Sequence, residues 1–151
     1  MIKVNVEIDN KSWNKKIKNP KKYFLKKLKK ISDKIHFFNK KNITFTILLT
    51  NSITMKKLNK KFRKINKATD VLSFPAFNLN NLKLIKKKNS YIGDIAVSYE
   101  IVDSRSKKNF FIKEFDKVWV HGFLHLLGYD HVKKSDYLKM IKVENKILSI
   151  I

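Results

Sequence analysis

The chain of 151 residues contains no cysteine, three glycines, two prolines and only two arginines. Each scarcity excludes something. Without cysteine there is no disulfide to staple the fold and no thiolate to bind a metal, so histidine and carboxylate remain as ligands and a reducing compartment is the natural setting. The longest apolar run, around Val118 to Leu127, is too short to span a bilayer. The amino terminus, Met1 to Ile8, alternates like a strand and lacks the plan of a signal peptide, which leads us to expect a cytoplasmic protein. The length suits a single domain, 1–151, able to bury its own core.

Acidic residues are few as well. Thirty-five Lys and Arg face 12 Asp and Glu, a formal net charge of +23. Such a surface attracts polyanions, nucleic acid above all. Lysine, asparagine and isoleucine are abundant where arginine, glycine and proline are scarce, as an AT-rich coding sequence produces. Part of the charge has that source, and its effect on phosphates is the same either way. Against this bias Arg63 and Arg105 stand out as places where lysine does not serve. A guanidinium is a planar, two-pronged donor suited to phosphate, whereas an ammonium is a point charge. Arg63 is the candidate for such a role; Arg105, within Ser104-Arg105-Ser106-Lys107-Lys108, reads as a solvated face.

Period-two alternation predicts strands at Lys3–Ile8 and Ile43–Leu49, and the segments Thr69–Pro75 and Tyr91–Ser98 read as two more. Pro75 suits a strand end, and Gly93 marks a bulge or a close backbone approach. Between the first two strands, Tyr23, Phe24, Leu28, Ile31 and Ile35 recur at helical spacing, predicting an amphipathic helix from Pro20 to about Phe38 with lysines on its wet side. A second helix is expected from about Ile53 to Arg63, capped by Asn51 or Ser52. The lysine-rich stretch 78–90 reads as a mobile loop. From Ser98 the pattern is helical, broken near Lys107 to Asn109, and it closes with a helix near Ser135 to Leu148 capped by Ser135.

Three of the four histidines and two of the three glycines fall within His121-Gly122-Phe123-Leu124-His125-Leu126-Leu127-Gly128-Tyr129-Asp130-His131. On a helix, His121 and His125 lie one turn apart on one face. Gly128 can take the left-handed conformation that ends a helix, so the chain turns back and offers His131 as a third nitrogen. The surrounding run is apolar nearly all round, so the helix is buried and its imidazoles are neutral, as a metal requires. Three imidazoles with an open fourth position describe a catalytic zinc site, one Zn2+ held by His121, His125 and His131.

The spacing equals that of the metzincin protease signature, H-E-x-x-H-x-x-G-x-x-H, except that Gly122 replaces the glutamate that serves those enzymes as general base. Peptide hydrolysis would therefore need an atypical base. The whole predicts an α+β fold: one domain with a small mixed four-stranded sheet, helices packed on it, and a zincin-like histidine helix at the centre.

Asn59-Lys60-Lys61-Phe62-Arg63, Thr69-Asp70-Val71-Leu72-Ser73-Phe74-Pro75, Gly93-Asp94-Ile95 and the histidine segment resemble, in order and spacing, the YbeY family of bacterial endoribonucleases. The matching segments lie between Asn59 and His131, roughly half the chain. Between Arg63 and Thr69 the family commonly has an acidic residue and a proline, where this chain has Asn66 and Ala68. The resemblance implies a zinc-dependent, single-strand-specific endoribonuclease that matures the 3′ end of 16S rRNA and takes part in ribosome quality control. It implies single-stranded RNA, the small ribosomal subunit and its assembly factors as partners. It also makes His121, His125 and His131 the metal ligands and Arg63 the catalytic cation facing them. Asp130 is a candidate to orient a ligand imidazole, Asp70 to do the same or to take a proton, or else both are turn residues. The alternative is a non-catalytic ribosome-assembly or RNA-binding factor with a structural zinc.

Overall fold

The computed structural model describes residues 1–39, 42–76, 90–106 and 110–151. The elements in chain order are β1 (Ile2–Ile8), α1 (Trp13–Lys16), α2 (Pro20–Lys34), α3 (His36–Asn39), β2 (Ile43–Thr50), α4 (Ser52–Arg63), β3 (Val71–Pro75), β4 (Ser90–Ser98), α5 (Tyr99–Arg105), α6 (Phe111–Leu126) and α7 (Lys134–Leu148). The sheet has the order β1-β2-β4-β3; β1, β2 and β4 run parallel and β3 is antiparallel to β4. It is the mixed four-stranded sheet of a single α+β domain, as the alternation predicts.

Alternation decides which face of each strand is buried. Ile2 and Val4 of β1, Ile43, Phe45, Ile47 and Leu49 of β2, and Ile92, Ile95 and Val97 of β4 join one large core with Phe24, Leu28 and Ile31 of α2 and Phe115, Trp119 and Phe123 of α6. Phe45 and Phe123 are fully buried with ring centroids 5.1 Å apart, and truncating either to alanine would cost about 3–5 kcal/mol. The opposite face has a smaller core, Met55, Leu72 and Ala96, to which α4 contributes Met55. At Gly93 the pairing of β2 with β4 slips by one residue, and φ is +131°. A Cβ there would sit 2.2 Å from the Phe74 carbonyl oxygen, so the predicted bulge and the predicted close approach are both real.

Two helix starts follow local chemistry, and three expectations are corrected. Asn19 and Asn51 cap α2 and α4, accepting from the Lys22 and Thr54 amides at 2.9 and 2.8 Å, and Pro20 occupies the first turn. The helix expected to run to Phe38 breaks at Ile35, whose backbone is extended, because this crossover must turn back to the start of β2. Helix α7 starts at Lys134 with Lys133 in the cap position; Ser135 lies inside the first turn and caps nothing. Arg105 is half-exposed but not merely solvated: it pairs with Asp70. Of the predicted loop 78–90 only Ser90 lies among the described residues, as the first of β4, and the predicted break at 107–109 lies outside them.

Candidate metal centre

Helix α6 crosses the large core beside β3 and β4 and delivers His121 and His125 from its last turns. Gly128, at φ +85°, closes it as a Schellman turn: the Gly128 amide donates to the His125 carbonyl and the Tyr129 amide to the Leu124 carbonyl, both at 3.0 Å. The reversed chain brings His131 back over the other two. Ring centroids lie 4.7 Å apart for His121 and His125, 5.0 Å for His125 and His131, and 5.6 Å for His121 and His131. One nitrogen of each ring falls within 4.8 Å of the others, so the three histidines can hold a metal ion.

The hydrogen-bond pattern is compatible with such an ion. His125 Nδ1 is 2.9 Å from the Tyr129 carbonyl oxygen, which can only accept, so Nδ1 carries the proton and Nε2 is bare. The Glu144 carboxylate of α7 lies 3.7 Å from His121 Nδ1, too far for a hydrogen bond but near enough to favour the proton on that nitrogen. The two Nε2 atoms then face each other across 3.1 Å with lone pairs opposed. A proton between them would make one ring an imidazolium. Burial first, and the neighbouring His121 second, hold the His125 imidazole below the usual histidine range and oppose that. A cation relieves the conflict, and the separation is close to the ~3.3 Å between two ligands of a tetrahedral zinc. The donor set fits the ion.

Across the cleft stands Arg63, the last residue of α4. Its Nη2 donates to the Ser73 carbonyl at 3.2 Å, using one of five guanidinium donors, and no carboxylate pairs with it among the described residues. Arg63, Asp70, Ser73 and the three histidines line one cavity of 580 Å³. The structure thus brings Arg63 and the three histidines to one cavity.

Sequence reasoning read Gly122 only as a missing base. In the structure its absent side chain is what seats the helix: a Cβ there would meet Val71 Cγ2 at 2.9 Å, Ile95 Cγ2 at 3.0 Å and Ser73 Oγ at 3.1 Å. Ser73 Oγ donates to the Gly122 carbonyl at 3.1 Å, tying β3 to α6 beside the histidines. A glutamate would have no room here. The available signal was a mid-helix glycine, which costs about 1 kcal/mol against alanine and so asks for a reason. Glu144 was missed altogether, since nothing in the spacing of α7 points to a distant histidine.

The aspartates are engaged locally. Asp70 Oδ1 accepts from the Val71 amide and the Thr69 hydroxyl, and its other oxygen takes Arg105. Asp130 Oδ1 accepts from the His131 amide at 2.7 Å and so fixes the turn that presents that ligand. Asp94 faces away from the histidines, accepting from the Tyr91 hydroxyl on the other side of the sheet.

Fold and cleft together describe a small α+β protein in which three histidines able to hold a metal ion share one cavity with an arginine. Comparison with known proteins gives the family. The family described as Endoribonuclease YbeY matches residues 7–151. Among curated proteins of that name, one from Pelagibacter ubique is 48% identical, covering 100% of this chain and 97% of its own. One from Thermodesulfovibrio yellowstonii is 35% identical over 98% of both. A Thermotoga maritima protein solved in solution shares the fold with a TM-score of 0.63 and 25% identity, covering 98% of this chain and 87% of that one. The chain belongs to the YbeY endoribonuclease family, and its activity is that of an RNA-cleaving hydrolase. No helix among the described residues is long and apolar enough to cross a membrane.

Proposed function

We propose that the chain is a zinc-dependent, single-strand-specific endoribonuclease that matures the 3′ end of 16S rRNA and serves in ribosome quality control. It works in the cytoplasm on the small ribosomal subunit with its assembly factors. The observation that carries this reading is the pair of opposed Nε2 atoms of His121 and His125, with His131 above them and Arg63 across the same cleft. These three histidines hold the zinc and Arg63 is the catalytic cation. A cavity of 580 Å³ admits a fragment of about one or two nucleotides, so the strand enters unpaired.

The chain's own groups divide the work. Tyr129 and Glu144 set the tautomers that turn Nε2 inward. Bound zinc would supply Lewis-acid polarisation at a phosphate oxygen, or would lower the pKa of a water toward neutrality. Arg63 keeps donors free for the non-bridging oxygens as negative charge grows on them, held in place by Ser73 and therefore without reorganisation. Gly122 brings β3 against α6 and fixes the width of the cleft.

The test is cleavage of a labelled single-stranded RNA ending in the small-subunit rRNA 3′ sequence. It compares zinc-loaded protein with His121→Ala and Arg63→Glu purified identically. Arg63→Glu keeps its zinc and loses about 10²–10³ in rate, as removal of one charge-stabilising donor does; full activity in that variant refutes the role given to Arg63. A second reading, an assembly factor with a structural zinc, draws on Asp70, whose two carboxylate oxygens are both engaged, by the Val71 amide and Thr69 hydroxyl on one side and Arg105 on the other. Tight binding to small subunits without cleavage of any single-stranded RNA would select it.

A further inference from the structure

On the other face of the sheet, behind β3, lies a second cavity of 480 Å³ lined by Glu7, Thr46, Leu58, Phe62, Phe74 and Asp94 among others. Its wall is aromatic. Phe62 and Phe74 meet edge to face with centroids 5.1 Å apart, and Phe62 is 53% exposed. The Lys61 ammonium sits 5.2 Å from the Phe62 ring centre. An exposed phenylalanine on a well-formed helix buries little in the fold and leaves a ring face for something else.

Its position relative to the metal centre is the second observation. Phe62 immediately precedes Arg63 at the end of α4, and Phe74 immediately follows Ser73, whose carbonyl holds that arginine. Side chains alternate along β3, so Ser73 points to the histidine helix and Phe74 to this cavity. β3, an edge strand, contributes to both cavities, Ser73 lining the one and Phe74 the other.

Charge identifies the occupant. From Ser52 to Thr69 there are seven basic residues, Lys56, Lys57, Lys60, Lys61, Arg63, Lys64 and Lys67, and no acidic one. All seven are exposed, and none forms an ion pair among the described residues. Glu7 and Asp94 lie at the cavity and repel phosphate, so a polyanionic backbone follows α4 while a neutral group turns inward toward the rings. A nucleobase has that character: a flat face for the aromatics and amino groups that carboxylates accept.

We propose that Phe62 and Phe74 form a nucleobase-stacking subsite. It holds a base of the substrate strand adjacent to the phosphate at Arg63, and the lysines of α4 track the backbone. The subsite rests on the endoribonuclease reading and deepens it: it supplies contact that every base can make, and so grips single strands with little sequence preference.

The test uses the zinc-loaded full-length protein and a fluorescent single-stranded 2′-O-methyl RNA octamer, confirmed intact afterwards, beside an octamer of the same backbone without bases. Phe62→Ala weakens binding of the base-bearing octamer about tenfold or more, the usual effect of removing a stacking ring. It leaves the abasic octamer and the salt dependence unchanged, because no phosphate contact is lost. Phe62→Trp restores the binding. Equal weakening of both octamers, or of neither, overturns the subsite while leaving the enzyme reading intact. Failure of the unaltered protein to bind either octamer overturns both. Phe62 is exposed enough that its alanine variant folds, and its unfolding temperature confirms this.

Discussion

Helix α6 carries two polar clusters little more than a turn apart, and they are built on opposite principles. Asp116 is 7% exposed, and its partners are complete: Oδ1 accepts from the Tyr23 hydroxyl and the Trp119 indole, and Oδ2 from the Lys27 ammonium at 2.7 Å. Burial first, and the Asp116 charge second, push the Tyr23 hydroxyl far above its ordinary pKa, so it remains a donor at any working pH. At His121 and His125 the outer nitrogens are directed to protein groups while the inner ones confront each other. Donors meeting acceptors make a finished piece of structure. Acceptors meeting acceptors make a place for a ligand.

The comparison breaks if the two clusters respond alike to loss of one member. His125→Ala is expected to have the largest effect on function: zinc content near zero and RNA cleavage reduced more than about a hundredfold, since even the outer partners of metal ligands cost tenfold to a hundredfold. The metal-free variant keeps its far-ultraviolet circular dichroism, because the ring it removes lies at the cavity and is only partly buried. Asp116→Ala reverses the pattern. It strands Lys27, whose side chain is 13% exposed, and should lower unfolding free energy by about 3–5 kcal/mol in urea titration while the folded fraction still binds zinc. Loss of zinc affinity in that folded fraction would show that the clusters are one network after all.

The two clusters also differ in how well the sequence announced them. The histidines, their spacing and the turn at Gly128 are local in the chain, so helical geometry alone brings them together. The alternating strands and the caps at Asn19 and Asn51 were legible for the same reason. Asp116 with Tyr23 and Lys27 was not, because the partners are some ninety residues away and only the packing of α2 on α6 joins them. Arg105 was read as solvated since its partner Asp70 arrives from a different element. Arg63 was found through its rarity, a compositional accident that happened to point at a tertiary contact. The seating role of Gly122 depended on the sheet beneath it, which no spacing reveals.

Glu144 sharpens the comparison, for its carboxylate comes from a different helix to within 3.7 Å of a histidine nitrogen, His121 Nδ1, and its side chain is 17% exposed. Glu144→Gln keeps the shape and removes the charge that favours the inward-facing bare Nε2. Zinc affinity, measured by competition with a chromophoric chelator, should fall about tenfold to a hundredfold, with the unfolding free energy of the metal-free protein unchanged. An unaltered affinity would leave His121 oriented by α6 alone.

The smallest expected effect is in pH. His125 has its folded pKa below the unfolded value near 6.5, through burial first and His121 second. Between the two values the unfolded chain binds more protons than the folded one. Stability of the metal-free protein therefore falls as pH drops below about 6.5 and is indifferent to this group above it, with a slope of at most about 1.4 kcal/mol per unit. Urea titrations at pH 7.5 and 5.5 should show a greater loss for the unaltered protein than for His125→Gln, whose amide does not titrate. Asp116→Ala, lacking the other cluster, should keep that loss in full. Parallel behaviour of the unaltered protein and His125→Gln would mean that the histidine already shares a proton with its neighbours, and the confrontation of bare nitrogens would have to be abandoned.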